Sequence, residues 1–514
     1  MRTVVPAQST GPLPDAWRAC VGTGRMNLAL RADYRDSLAQ VQRDIGFRHI
    51  RGHGLLSDDM GVLRTDEVDG RTRTRYAFSY VDQVHDFFLS VGIRPFLELG
   101  FMPSQLASGD DTVFWWKGNI TPPRDMSAWV ALVQAVLRHQ IDRYGIDEVR
   151  RWPVEVWNEP NLTVFWKDAD QDAYFRLYEA TARAVKDVDA DLQVGGPAIS
   201  PGSDEWWAPF ADFVTSRDVP VDFVSRHAYT SGPAQHVPFG TYQTLMPPQH
   251  LLEQFDAPRR HLEGTALAGL PVHITEFNTS YRPDNPIHDT AYNAAYLAPV
   301  LAGGGGLADS FSYWTFCDVF EETNVPTSIF HGGFGMLTHR QVAKPTYHLY
   351  TFMARMGRDV LARGDDHLVC VDPDGRLTVL AWQPVGGTGA GDAPDEHRVE
   401  LSLPVGGDAA FVLRERVNEH DGNAFAAWRE LGRPMSPTAR ELDLLHACAR
   451  PAVSHDVVRT AGGRVDLDLV LGRHEVTFVE LTPVSPTHHD GLDDRRLLGE
   501  DDDRLVAVHE RVRA

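Results

Sequence analysis

Cysteine is scarce: the chain of 514 residues carries only Cys20, Cys317, Cys370 and Cys448. They form no CxxC pair and their spacing matches no zinc pattern, so neither a disulfide framework nor a structural zinc site organises this protein. Buried reduced thiols are the simpler reading. Positive charge is also short. Against 71 Asp and Glu stand 49 Lys and Arg, for a net charge of −22. That field repels phosphates and argues against nucleic acid or anionic membrane as partners. No run of 18 apolar residues exists, so no membrane span is expected. Residues 1–8 lack an apolar signal-peptide core, from which a cytoplasmic location is expected. No GxGxxG follows a first strand, which removes support from a dinucleotide-binding sheet. No internal repeat is visible.

What is present has the balance of a globular chain, with 43% hydrophobic and 23% charged residues, long enough for a large barrel and a smaller companion. The informative stretch is 154–162, V-E-V-W-N-E-P-N-L. It begins as a segment a strand would bury and is interrupted at Pro160, which cannot continue a ladder and pushes Glu159 out of helical space. Glu159 should therefore stand at the end of a strand, its carboxyl aimed out of the sheet, with Asn158 beside it as neutral donor and acceptor. Far downstream V-H-I-T-E-F-N, 272–278, repeats the device: a short apolar run ending in Glu276.

Between and around these stretches, strand and helix patterns alternate. Strands are predicted over 19–30, 45–54, 93–100, 154–159, 192–197, 221–229, 271–277 and 310–316. Helical spacing marks 78–92, 129–144 and 172–187. Repeated strand-then-helix units over some 300 residues predict a closed parallel (β/α)8 barrel, a TIM barrel, over residues 15–345, with an open doubly wound sheet as the rival. Beyond 345 the texture changes. Short strand-like runs at 367–371, 376–382, 399–403, 410–414 and 475–481, a Pro-Asp-Gly turn at 373–375 and a Gly-rich loop at 385–394 predict a β-sandwich over 346–484. A short helix is expected at 437–448. Residues 485–514 form an acidic C-terminal tail, expected to be peripheral.

Two carboxylates at two strand ends are what glycosidic-bond hydrolysis requires. One must deliver a proton to the departing oxygen and the other must stay ionised beneath the developing positive charge. In a barrel, working residues stand at the C-terminal strand ends, where Glu159 and Glu276 fall. Trp157, Phe165 and Trp166 around Glu159 predict an apolar setting that raises its pKa, and hydroxyl and imidazole donors such as Tyr229 and His227 are expected around Glu276.

The motif W-N-E-P-N-L at 157–162 with I-T-E-F-N-T-S-Y at 274–281 resembles glycoside hydrolase family 39. Further matching segments are I-R-G-H-G at 50–54, S-R-H-A-Y at 225–229, S-Y-W-T-F at 312–316, D-V-F-E-E at 318–322 and F-H-G-G-F-G at 330–335. The resemblance runs from about residue 15 to 480 and is strongest to bacterial β-xylosidases. It implies a retaining, exo-acting glycosidase that releases D-xylose from non-reducing ends, with no metal and no cofactor. By this resemblance Glu159 is the acid/base, Glu276 the nucleophile, and Asn158 a ligand of the sugar 2-hydroxyl. His53, His227, Tyr229, Tyr281, Trp314 and Glu322 line the first sugar subsite. Phe277 departs from the Trp that many relatives carry. Family members are often tetramers, so a homo-oligomer is a further expectation.

Each assignment has a blander alternative. A buried Glu at a strand end often serves a structural ion pair, Trp314 could be barrel core, and His53 and His227 could be satisfied structural histidines. Arg51 reads as a structural ion pair, Glu321 competes with Glu322 for the sugar, and the sandwich reads as a packing module. On the same scaffold an α-L-iduronidase, a β-glucosidase or an arabinosidase would be possible, as would a non-catalytic glycan-binding protein. The absence of Lys or Arg near Glu321 and Glu322 before Arg340 favours a neutral pentoside.

Overall fold

A computed structural model describes residues 2–237, 240–387 and 394–485. Eight strands close a parallel barrel in chain order. They are β1 (Cys20–Gly22), β2 (His49–Gly52), β3 (Arg94–Glu98), β4 (Val154–Glu155), β5 (Val194–Ile199), β6 (Phe223–Tyr229), β7 (Val272–Asn278) and β8 (Ser310–Tyr313). Every neighbouring pair is parallel, and β8 returns to β1 through Tyr313 opposite Val21. A helix follows each strand: α1 (Ala32–Asp44), α2 (Ser79–Ser90), α3 (Met126–Tyr144), α4 (Gln171–Val188), α5 (Trp207–Ser216), α6 (Gln249–His261), α7 (Ala291–Gly303) and α8 (Pro345–Ala354). The closed barrel excludes the open-sheet rival.

The helices form for local reasons. Asp125 caps α3 by accepting from the Ser127 N–H, and Asp170 caps α4 from Ala173. Both bury one apolar face, Val133, Val136 and Leu137 on α3 and Phe175, Leu177 and Val185 on α4. The strands are shorter than their apolar runs suggest. β4 is two residues because Trp157 and Glu159 turn to φ +75° and +43°, leaving the ladder before Pro160. Left-handed backbone at a bulky residue costs about 1–3 kcal/mol and persists only where the surroundings enforce it. Here Ala198 O accepts from Glu159 N at 3.0 Å, and Glu159 O accepts from Leu162 N at 3.0 Å.

Beyond the barrel lie two further sheets. Strands His367–Val371, Leu377–Trp382, Val476–Val484 and Ala409–Val417 fall where strand patterns predict them, inside a seven-stranded sheet. Three strands, His397–Pro404, Arg464–Leu471 and Thr3–Val4, make the second. The first residues thus belong to these sheets: Thr3 and Val4 pair in parallel with Leu401 and Ser402, and Gly11–Pro12 pairs with Asp359 and Val360. Val369, Val379, Val412 and Val479 from one sheet join Leu401, Leu403 and Leu467 from the other in one apolar core. The predicted helix near 437–448 is Ala439–Cys448, started by a Thr438/Glu441 capping box. Residues 388–393 of the Gly-rich loop, and the acidic tail from 486, lie outside the described residues. No helix among the described residues is long and apolar enough to cross a membrane.

Candidate active site

The strand ends converge on a cavity of about 740 Å³ whose wall includes Glu159, Glu276, Asn158, His53, Trp314 and Glu322. Tyr229 and Tyr281 also line it, the latter at its mouth with 43% of its surface exposed. Glu159 and Glu276 are 7% and 5% exposed. His227 is buried beside them, its Nδ1 2.8 Å from Glu159 Oε1 and 3.5 Å from Glu276 Oε2. His227, expected around Glu276, does pair with it in register across β6 and β7, but its closer side-chain contact is to Glu159.

Glu276 is gripped from two sides. Arg51 Nη1 donates to Oε1 at 2.6 Å and the Tyr229 hydroxyl donates to Oε2 at 2.8 Å. Arg51 is buried, and its other nitrogens reach Glu155 at 2.7 Å, Asn158 Oδ1 at 2.9 Å and Glu98 at 3.0 Å. Burial disfavours its charge, but Glu155, Glu98 and Glu276 outweigh that and keep it a cation. Arg51 therefore joins the ends of β2, β3, β4 and β7, and it orients both Asn158 and Glu276. The expected structural ion pair exists, and one of its arms ends on the candidate nucleophile.

The two carboxyls sit in different electrostatic settings. Burial, then the charge of Glu276, pushes the Glu159 carboxyl well above the usual range and so favours its protonated form. Tyr229 is raised by burial and by Glu276, which keeps its phenol a donor. Burial lowers His227 well below its ordinary value, with Arg51 and His53 adding to the effect, and leaves it neutral. Glu322 is pushed up to about 8 by burial, His53 opposing and Glu276 adding.

Glu321 faces away from the cavity: Arg25 at 2.9 Å and Arg31 at 2.7 Å saturate it. The expectation that no Lys or Arg lies near this end before Arg340 is corrected, since chain distance hid three arginines. Arg25 and Arg31 arrive from the loop after β1, and Arg282, four residues past β7, lines the cavity. Arg282 is already held by Asp284 through two contacts of 2.9 and 3.0 Å. Trp314 lies between the two readings offered for it. It is 2% exposed and packed on Phe320, yet it lines the cavity with His53 4.8 Å from its ring. Phe277 packs on Phe255, Phe311 and Tyr313, away from the site.

Sequence reasoning missed Glu98 and Glu155, each buried at the end of its strand. Glu155 carried a signal, an acidic residue inside an apolar run. Glu98 lay in a similar run, P-F-L-E-L. Phe114, with φ +63°, stacks at 5.2 Å on Trp116 and packs at 5.6 Å on Phe165 to form an aromatic side of the cavity. One trio of potential metal ligands, Glu159, His227 and Glu276, has its nearest donor atoms within 4.8 Å of one another. Burial raises the Glu159 carboxyl, which weakens it as a cation ligand.

A family model for glycosyl hydrolases family 39 matches residues 2–466. The chain belongs to glycosyl hydrolases family 39. Within family 39, a Beta-xylosidase of Geobacillus stearothermophilus is 49% identical over 495 residues, 95% of this chain and 97% of its own length. A crystal structure described as a monomeric beta-xylosidase from Caulobacter crescentus CB15 superposes with a TM-score of 0.85 at 31% identity, covering 94% of this chain and 100% of that one. An Alpha-L-iduronidase of Canis lupus familiaris is 24% identical, over 83% of this chain and 68% of its own.

Proposed function

We propose that this family 39 glycosidase is a retaining exo-β-xylosidase, with Glu159 as acid/base and Glu276 as nucleophile. The observation that carries the reading is the pair itself. A carboxyl biased toward its protonated form faces a carboxylate gripped by Arg51 and Tyr229, with oxygens of the two groups within 4.8 Å. Retaining enzymes hold their carboxyls about 5–5.5 Å apart, and inverting ones leave room for a water. Glu276 attacks the anomeric carbon as Glu159 protonates the leaving oxygen, giving a glycosyl-enzyme and a free alcohol. Glu159, now a base, deprotonates the water that displaces Glu276. Asn158, held by Arg51, is positioned for the sugar 2-hydroxyl. His53, His227, Tyr229, Trp314 and Glu322 complete the first subsite, and Tyr281 guards its mouth.

The xyloside preference rests on the 49%-identical relative and on charge. A uronate would need a free cation. Arg282 is already paired with Asp284. Exclusion of glucosides is softer, a difference of about 1–3 kcal/mol for one extra group against the aromatic side. The test compares kcat/KM on matched aryl β-xyloside, β-glucoside, α-L-arabinoside and α-L-iduronide. Preference for the iduronide would mean that Arg282 leaves Asp284; preference for the glucoside would mean the aromatic side admits a hydroxymethyl group. Residues 15–345 are read as the catalytic domain and 346–484 as a β-sandwich packing module, a reading supported by the shared apolar core of its two sheets.

A further inference from the structure

Glu98 ends β3 and is buried behind the cavity, without lining it. Its Oε2 touches two groups that do belong to the site, His53 Nδ1 at 2.7 Å and Arg51 Nη2 at 3.0 Å. Its Oε1 is buried without a partner. Burying a carboxyl with one oxygen unsatisfied costs stability.

The His53 ring is fixed on all sides except one. Trp314 at 4.8 Å, Phe101 at 5.9 Å and Phe114 at 6.0 Å pack around it, and Glu98 takes Nδ1. The remaining polar atom, Nε2, stands 3.7 Å from Glu276 Oε1 and 3.8 Å from Glu322 Oε1. Both gaps are too long for a direct hydrogen bond, and a hydroxyl oxygen fits between them at about 2.8 Å from each side.

We propose that Glu98 is a positioning residue for the reaction, fixing His53 with an Nε2–H aimed at a substrate hydroxyl in the space between Glu276 and Glu322. The inference rests on the glycosidase reading of the cavity and adds to it a residue that never meets the sugar. A neutral His53 that gives its only proton to Glu98 would present a bare Nε2; donation at both nitrogens requires the imidazolium. The charges that face the ring are Glu98, Glu276 and Glu322 on one side of the balance and Arg51 on the other. Burial opposes the cation, Glu98 and then Glu276 outweigh it, and the net direction is upward.

The test is Glu98→Gln, which keeps shape and a hydrogen-bonding group but removes the charge. Kinetics are corrected for folded protein by active-site titration with a 2-deoxy-2-fluoro-xyloside that traps the nucleophile. KM for an aryl β-xyloside should rise by about 10- to 100-fold at about pH 8, the effect of one hydrogen bond from a charged group. That rise should shrink at about pH 5, where more of the variant's imidazole carries a proton despite burial. Glu98→Asp should restore part of the loss. A loss equal at both pH values, as a purely structural role would give, overturns the proposal. A second measurement needs no substrate. The 15N spectrum of histidine-labelled protein, with His53 assigned through His53→Asn, should show both ring nitrogens protonated at neutral pH in the wild type and not in Glu98→Gln. A neutral His53 in the wild type overturns the proposal whatever sugar the enzyme prefers, whereas an enzyme inert on xylosides with a cationic His53 would correct the substrate alone.

Discussion

The floor of the barrel's cavity and the core between the two outlying sheets are both buried, and they are built on opposite terms. The sheet core is apolar throughout, with Val369, Val379, Leu401, Leu467 and Val479 meeting from two faces. The cavity floor buries Arg51, Glu98, Glu155, Glu159, His227 and Glu276 within a few ångströms of one another. Apolar burial stabilises in proportion to area. A buried ionic cluster adds little net stability, yet breaking it is costly. The comparison teaches that the two regions answer to different demands. One holds the chain together; the other holds two carboxyls beside one buried arginine and draws on the stability found elsewhere.

Variants can break this comparison, and the largest effect is expected at Glu276. Glu276→Gly should reduce turnover on the order of 10⁴-fold or more while the protein stays folded, because the attacking carboxylate is lost and Arg51 keeps Glu98 and Glu155. Added azide should restore turnover and yield a glycosyl azide of inverted configuration; an azide of retained configuration, read by NMR, would reassign the nucleophile.

Glu159→Ala should cost roughly 10²- to 10⁴-fold on xylobiose and much less on aryl xylosides with good leaving groups. Equal losses on both would remove Glu159 from the acid role. The sign of the pH effect follows from its raised carboxyl: the protonated form works, so wild-type activity falls as pH rises through that pKa. The alkaline limb should be absent from the variant's profile on activated substrates.

Arg51→Met should strike both properties at once. It strands Glu155, Glu98 and Glu276 without their cation, at about 3–5 kcal/mol of stability, and frees the Glu276 carboxylate. Denaturant midpoints and kcat measured together check it; an unchanged midpoint would mean that the cluster relaxes by taking up protons.

Leu401→Ala, in the apolar core, should cost about 2–5 kcal/mol in denaturation and leave kcat per folded molecule unchanged. A drop in kcat would mean that the sheets shape the site and are more than a packing module. The smallest effect is expected at the exposed pair of Arg143 and Asp86, 2.6 Å apart. Asp86→Asn should shift stability by about 0–1 kcal/mol, and less in high salt.

Much of this was legible in advance because it is local. Alternating β and α patterns give the barrel, since each period buries one face whatever its neighbours are. Pro160 and the apolar run before it put Glu159 at a strand end, and the same logic put Glu276 opposite. Where the pattern is weak the reading failed. Ala452–Arg459 is an edge strand exposed along most of its length, so it carries no amphipathic signal. Arg464–Leu471 alternates cleanly, with Val465, Leu467, Leu469 and Leu471 inward, and that signal was available but unused.

Sequence alone determined the barrel, the two carboxyls and the character of the second region, because these follow from periodicity and from residues a few positions apart. Tertiary structure decided the rest. That Arg51 joins four strand ends, that Glu98 stands behind His53, that His227 prefers Glu159, that Arg25 and Arg31 reach Glu321 and that Arg282 joins the cavity wall are all facts of barrel closure. Closure brings residues from eight separate strand ends to one rim, and a buried charge takes its partner from whichever strand end is nearest in space, at any distance along the chain.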